Sequence, residues 1–363
     1  MRLRVMQFEP AVRPMLIRRD GVAGCHAVWH NSATVRPIII LTESSVASYG
    51  VIGRLYQETF RAMGIESTLA PYPTDGPPQA PRHAIVLHNT LGFRFAPVAG
   101  AVNVAVPFHE WSRYPPEWSA RLSRFDEVWA ASPYLATVLR KSGVTASVRF
   151  APPALDLHAP RSKTTWTPHR PFRFLFVGAP HFRKGHHLLI EGFRRVAGRT
   201  PGATLTIKTA ADCAWTVPDR RIRVIAERWP LDRIRGLYRA HDAFVSASLG
   251  EGLGLGVAES MLARLPVATN RWGGHTSLLA PGGCVTIPHR VVPQPFCSQP
   301  DFYAPGQRCA LSSPDAVAAA METTMAMSAR AREAQARRAH AHVERRFGFS
   351  AASARLHRAL DGM

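Results

Sequence analysis

From Pro37 onward, short β-branched apolar runs alternate with longer stretches of helical period. Ile38-Ile-Ile-Leu41 predicts a strand, a Ser/Gly loop runs from Ser44 to Gly53, and a helical stretch follows from Arg54 to Met63. Ala84 to His88 and Val102 to Val106 are further strands. Phe125 to Ala130 is another, and Ser132-Pro133 behind it supplies a capping hydroxyl and a proline at the first helical position. That helix covers Leu135 to Ser142, and Gly143 stops it. Strands alternating with helices through short loops predict a doubly wound parallel sheet. Residues 1–36 have no clear period, carry Arg18-Arg19, and are expected to form a leading strand plus irregular extension.

A proline-rich, basic segment with Pro152-Pro153, Pro160, Pro168 and Pro171 then reads as a stiff linker. Beyond it the alternation restarts. Phe172 to Val177, Ala203 to Lys208, Ile222 to Ala226, Ala243 to Ser248 and Pro266 to Thr269 are strands, and His187 to Val196 is helical. The last fifty residues are helical with a break at Phe347-Gly-Phe-Ser350, where Ser350 is expected to cap a final helix from Ala351 to Leu360. The expected organisation is an extension (1–36), a first α/β domain (37–155), a linker (156–171), a second α/β domain (172–346) and a C-terminal helix crossing back to the first (347–363).

Composition narrows the class. At 363 residues, two domains can each bury a core, and 46% hydrophobic with 19% charged residues is ordinary for a soluble globular chain. There is no signal-peptide pattern and no apolar run long enough to span a bilayer. Five cysteines without metal-ligand spacing fit a reducing cytoplasm. The net charge of +20, nearly all from Arg, draws the protein toward polyanions, either DNA or an anionic inner membrane face. The surplus is spread along the chain, with sixteen bases against ten acids in residues 1–150. Arg337-Arg338 and Arg345-Arg346 also fit the wet face of a helix, and Trp111, Trp118 and Trp129 fit core or interface.

The candidate chemistry centres on Glu251-Gly-Leu-Gly-Leu-Gly-Val-Ala-Glu259, a glycine-rich turn bracketed by two acids, between the strand ending at Ser248 and an apolar helix. Backbone N–H groups and the helix dipole converge there on an anion. A bare phosphate cradle has no use for the acids, whereas carboxylates suit sugar hydroxyls. Phosphate plus polyol points to a nucleotide sugar.

Phe174-Leu-Phe-Val-Gly178, Arg183-Lys184-Gly185, Leu188 to Phe193, the Glu251 and Glu259 pair, Trp272-Gly273-Gly274 and the segment from Pro305 to Val317 together resemble the retaining GT-B glycosyltransferases, specifically glycosyltransferase family 4. The resemblance covers Phe172 to the end; in the first half it rests on Phe108-His109-Glu110-Trp111, Pro115-Pro116-Glu117-Trp118 and Phe125 to Trp129. It implies a GT-B fold, two Rossmann-like doubly wound domains facing across a cleft. By the same resemblance, Glu259 holds the donor ribose and Glu251 lies beside the transferred sugar. Backbone N–H groups of Gly252, Leu253, Gly254 and Leu255 meet the distal phosphate and sugar. Lys184 and Arg183 neutralise the diphosphate, Gly50 to Gly53 approach it from the first domain, and His109 bonds the sugar near its anomeric centre. His109, one of sixteen histidines, fits a structural role equally well. The family's Arg after the strand-end glycine is Ala179 here, which shifts its work to Arg183 and Lys184. No Asp-x-Asp metal signature occurs, so the expectation is metal-independent transfer with no cofactor beyond a UDP-, GDP- or ADP-linked co-substrate.

Three functions follow. The first is glycosylation of a hydroxyl on DNA, such as a hydroxymethylated pyrimidine flipped from the helix. The second is work on a membrane lipid or lipid-linked glycan, held at an anionic surface. The third is non-catalytic binding of a nucleotide sugar or polyanion, motivated by Ala179. The charge, and the lack of an amphipathic, aromatic-rich membrane helix, place DNA ahead of the membrane. Nothing in the sequence sets the oligomeric state.

Overall fold

A computed structural model describes residues 36–43, 47–179, 181–200, 202–209, 216–294 and 306–363. The strand expected ahead of Pro37 lies outside them. The first sheet contains β1 (Ile38–Thr42), β2 (Ser67–Pro71), β3 (Ile85–Asn89), β4 (Val102–Ala105), β5 (Glu127–Ala130) and β6 (Ser147–Phe150), in the order β2-β1-β3-β4-β5-β6. The second contains β7 (Phe172–Val177), β8 (Ala203–Lys208), β9 (Ile222–Ile225), β10 (Ala243–Ser246), β11 (Val267–Thr269) and β12 (Val285–Thr286), in the order β12-β11-β10-β7-β8-β9. Every pairing in both sheets is parallel. Central strands such as β3, β5 and β10 are buried along their whole length, as a sheet covered on both faces requires. A small antiparallel ribbon, β13 (Arg290–Pro293) with β14 (Arg308–Leu311), stands apart.

The helices are α1 (Ala47–Ala62), α2 (Pro116–Leu122), α3 (Pro133–Lys141), α4 (His186–Arg199), α5 (Leu231–Ala240), α6 (Leu255–Leu262), α7 (Pro314–Ala326), α8 (Ala329–Phe347) and α9 (Phe349–Leu360). Ser132 caps α3 as expected, its hydroxyl accepting from the Leu135 amide at 3.2 Å, and Gly143 ends it at φ +87°. Trp111, Trp118 and Trp129 are all buried.

Besides the short strands β12, β13 and β14, four described elements have no counterpart in the hydrophobic pattern. β2 and β6 are short edge strands with half-exposed side chains, so neither shows a sustained apolar run. α2 begins in a Pro-Pro pair, and α5 carries Gly236 mid-helix with no side-chain cap. Two boundaries also differ. α1 starts at Ala47, not Arg54, so Gly50 and Gly53 lie inside a helix. The last helix starts at Phe349, so Ser350 is not its cap; the Asp156 carboxylate, from the start of the linker, accepts from the Phe349 amide at 3.0 Å. The cap is tertiary, and α9 packs against both α8 and α1.

The segment 156–171 lies against the second domain. Lys163 is 4% exposed, and its ammonium donates to the carbonyls of Arg239 and His241 at 3.2 and 2.8 Å. The Trp166 indole donates to Arg264, and His169 pairs with Asp242 at 2.8 Å.

Candidate active site

In the second sheet the chain order reverses between β7 and β10, and the loops leaving their carboxyl ends form the crevice where doubly wound sheets bind ligands. β7 runs into a 3-10 turn, Phe182–Lys184, closed by Gly185 at φ +67°. A Cβ at Gly185 would lie 2.1 Å from the Ala247 carbonyl oxygen, so only glycine permits this turn to seat on the end of β10. The Arg183 carbonyl accepts from the Leu249 amide at 2.6 Å, locking the two loops together.

β10 in turn enters the glycine loop, which opens into α6 through Gly254 at φ +88°, with no side-chain cap on that helix end. The Trp272-Gly273-Gly274 loop braces it from behind, where the Gly274 amide donates to the Glu251 carbonyl at 2.6 Å. A Cβ at Gly274 would sit 1.9 Å from the Gly252 oxygen, which accounts for the glycine. Asn270 donates to the Ser248 carbonyl at 2.6 Å, and buried His275 bonds the Asn270 carbonyl at 2.8 Å.

Glu251 and Lys184 meet in this crevice. The ammonium donates to both carboxylate oxygens, at 2.6 and 2.8 Å, and the Ser248 hydroxyl donates to one of them at 2.8 Å. Burial alone would raise the Glu251 carboxyl, but Lys184 and then Arg183 overcome it and hold it at about 2. The carboxylate is therefore ionised at any physiological pH. Eight residues on, along α6, Glu259 faces a different setting. The Tyr238 hydroxyl donates to it, and with Arg54, Arg235 and Leu255 it lines a cavity between α1, α5 and α6. Burial pushes the Glu259 carboxyl up, against the opposing pulls of Tyr238 and Arg235. The two acids of the motif thus differ: one is an ion-paired anion beside the glycine loop, the other a hydrogen-bonding group in a mostly apolar pocket.

His109 lies across the seam, 2% exposed, with its carbonyl oxygen 3.0 Å from where a Gly252 Cβ would stand. Its Nε2–H donates to the Arg113 carbonyl at 2.6 Å, which leaves Nδ1 as the acceptor. Burial depresses it to about 4, more than Glu110 and the Arg113 carbonyl restore, so the ring is neutral. The structure brings Lys184, Arg183, Glu251, the 252–255 loop and His109 to one crevice. Gly53 is different: it is the seventh residue of α1, where amides bond within the helix, and its Cβ position lies 2.8 Å from Thr42. It serves close packing of α1 on β1, not a phosphate loop.

Sequence patterns assigned no role to Ser248, Tyr238, Arg54, Arg235 or Glu110. Glu110 adjoins His109 in the Phe108-His109-Glu110-Trp111 segment and Ser248 ends a strand, while Tyr238, Arg54 and Arg235 sit in no motif. The seam between the domains has further polar ties: the Ser132 hydroxyl donates to the Gly252 carbonyl at 2.8 Å, Gln307 donates to the Arg113 carbonyl at 2.7 Å, and the Arg308 amide donates to Ser112 at 2.8 Å.

Two facing doubly wound domains with the site at the switch point of the second define the GT-B class. The chain has the fold of the GT-B glycosyltransferases, and its residues 171–296 match the family of glycosyl transferases group 1. Sucrose-phosphate synthase from Thermosynechococcus elongatus is similar with a TM-score of 0.62 at 14% identity, over 90% of this chain and 99% of that one. A glycosyltransferase from Rickettsia africae gives 0.63 at 12% identity, over 90% and 98%. TarM from S. aureus, solved with Fondaparinux, alpha-GlcNAc-glycerol and UDP, gives 0.54 at 9% identity over 76% of this chain, which spans 55% of TarM's length. No curated protein sequence matches.

Proposed function

We propose that this protein is a retaining, metal-independent glycosyltransferase that moves a sugar from a nucleotide-diphosphate sugar to a hydroxyl on an anionic acceptor. The observation that carries this is the Lys184–Glu251 pair at the carboxyl end of β10, beside the uncapped start of α6. A diphosphate placed there gains the ammonium, the Arg183 guanidinium and the helix dipole as its negative charge grows. Glu251 then meets ring hydroxyls of the sugar, and Glu259 with Tyr238 meets the ribose. The bond from the anomeric carbon to the phosphate oxygen breaks, and the acceptor oxygen bonds to that carbon on the same face. The hydroxyl proton passes to the departing phosphate oxygen. His109, neutral with Nδ1 as acceptor, orients a sugar hydroxyl and does not take the proton.

For the acceptor, the charge of +20 supports a polyanion, foremost a hydroxymethylated pyrimidine in DNA. A membrane lipid or lipid-linked glycan is the second reading. It is favoured by Phe93, a 43% exposed ring on the first domain of the kind that enters a bilayer interface. The deciding experiment incubates the protein with UDP-, GDP- and ADP-sugars against hydroxymethylated DNA and lipid extracts, scored by product mass. A mass gain on DNA that falls steeply with salt supports the first reading, and a gain on lipid with vesicle sedimentation supports the second. Donor binding with no gain on any acceptor, or full transfer by Glu251→Ala, overturns the catalytic assignment.

A further inference from the structure

We infer that Glu110 is a positioning residue for phosphate recognition, reaching across the seam from the first domain to hold Arg183 at the rim of the Lys184–Glu251 site. The inference rests on the nucleotide-sugar reading above and adds to it a contribution from the opposite domain. The Glu110 carboxylate pairs with Nη2 of Arg183 at 3.0 Å, and both side chains are about four-fifths buried, at 24% and 19% exposure. A pair so enclosed is screened much less than one at the surface. Nη1 of the same guanidinium lies 3.7 Å from Glu251 and 3.5 Å from the Gly250 carbonyl. Both contacts are longer than a good N–H···O bond.

Each partner is fixed at its base. The Arg183 carbonyl accepts from the Leu249 amide at 2.6 Å, which holds the turn against the end of β10. On the other side, the Glu110 carbonyl oxygen lies 2.5 Å from where a Gly250 Cβ would stand, so the two backbones are in direct contact. A planar guanidinium held at one end by a carboxylate presents its other end in a fixed direction, which a lone flexible arginine does not. Among these four side chains, Arg183 and Lys184 stand one for one against Glu110 and Glu251. Glu110 keeps its hold on Nη2 while Nη1 turns to the phosphate, and the first domain is drawn onto the donor through that bond.

The test is calorimetric titration of the full chain with UDP, GDP and ADP and with the matching monophosphates. The native protein should prefer one diphosphate over its monophosphate. Arg183→Gln should reduce that preference roughly 10- to 100-fold, and Glu110→Gln about 3- to 10-fold. Because Glu110 acts through Arg183, the double variant should be no weaker than Arg183→Gln alone. Glu110→Asp, which keeps the charge, should retain part of the preference. A native preference in Glu110→Gln, or losses that multiply in the double variant, would overturn the inference while leaving the nucleotide-sugar reading intact. A native chain that binds none of the three diphosphates sinks that reading, and the inference with it.

Discussion

Replacing Lys184 with methionine tests the site's central ion pair in stability and in chemistry at once. The Glu251 side chain is 10% exposed, and against burial Lys184 and Arg183 hold its carboxyl at about 2, while burial pulls the Lys184 ammonium down. Removing one partner of such a buried pair leaves the other charge uncompensated, at a cost of about 3–5 kcal/mol. Arg183 supplies a share, so Lys184→Met should cost roughly 2–3 kcal/mol at pH 7. A lowered carboxyl contributes stability that is fully present above about 4.5 and lost as pH falls toward 2. The gap between native and variant in urea denaturation should therefore be complete at pH 7 and narrow below pH 4.5. The double variant Lys184→Met/Glu251→Gln removes both charges, so it should regain most of the stability. It should not regain transfer, which falls on the order of 100-fold or more without the ammonium at the leaving group. A Lys184→Met protein within about 0.5 kcal/mol of native that keeps its preference for diphosphate over monophosphate would refute the reasoning, because neither burial nor charge would then matter at this site.

Gly185→Ala should lose at least about 3 kcal/mol in a thermal melt, since φ is +67° and the new methyl would meet the Ala247 oxygen at 2.1 Å. Gly198→Ala, in the exposed last turn of α4 with nothing within 4 Å, should instead leave stability unchanged or raise it by up to about 0.5 kcal/mol. Asp156→Ala should remove the cap on α9 and cost about 1 kcal/mol, read by urea denaturation, while Ser350→Ala leaves stability within about 0.5 kcal/mol. Burial lowers His88, His109 and His241 to about 4 and His186 to about 3. The unfolded chain takes up these protons first, so stability should fall as pH drops from about 6.5 toward 4. Melting temperatures recorded from pH 7.5 to 4.5 check this, and a flat profile would contradict it.

The sequence by itself determined what is local. Strand-forming runs bounded by turn residues set two parallel sheets, and the Ser132-Pro133 start and Gly143 stop of α3 needed no tertiary partner. The glycine loop between Glu251 and Glu259, and the Arg183-Lys184-Gly185 turn, were legible because a helix N-terminus and a positive-φ glycine carry their physics within a few residues. Only the tertiary structure decided where separate segments meet. It placed Lys184 on Glu251, Tyr238 on Glu259, Glu110 on Arg183 and Asp156 on Phe349, pairs joined by no period or spacing. It also enclosed Gly53 in α1, where a glycine that reads as loop serves close packing on Thr42. Burial and charge come from atoms distant along the chain, so the lowered Glu251 carboxyl and the lowered His109 ring belong to the folded protein alone.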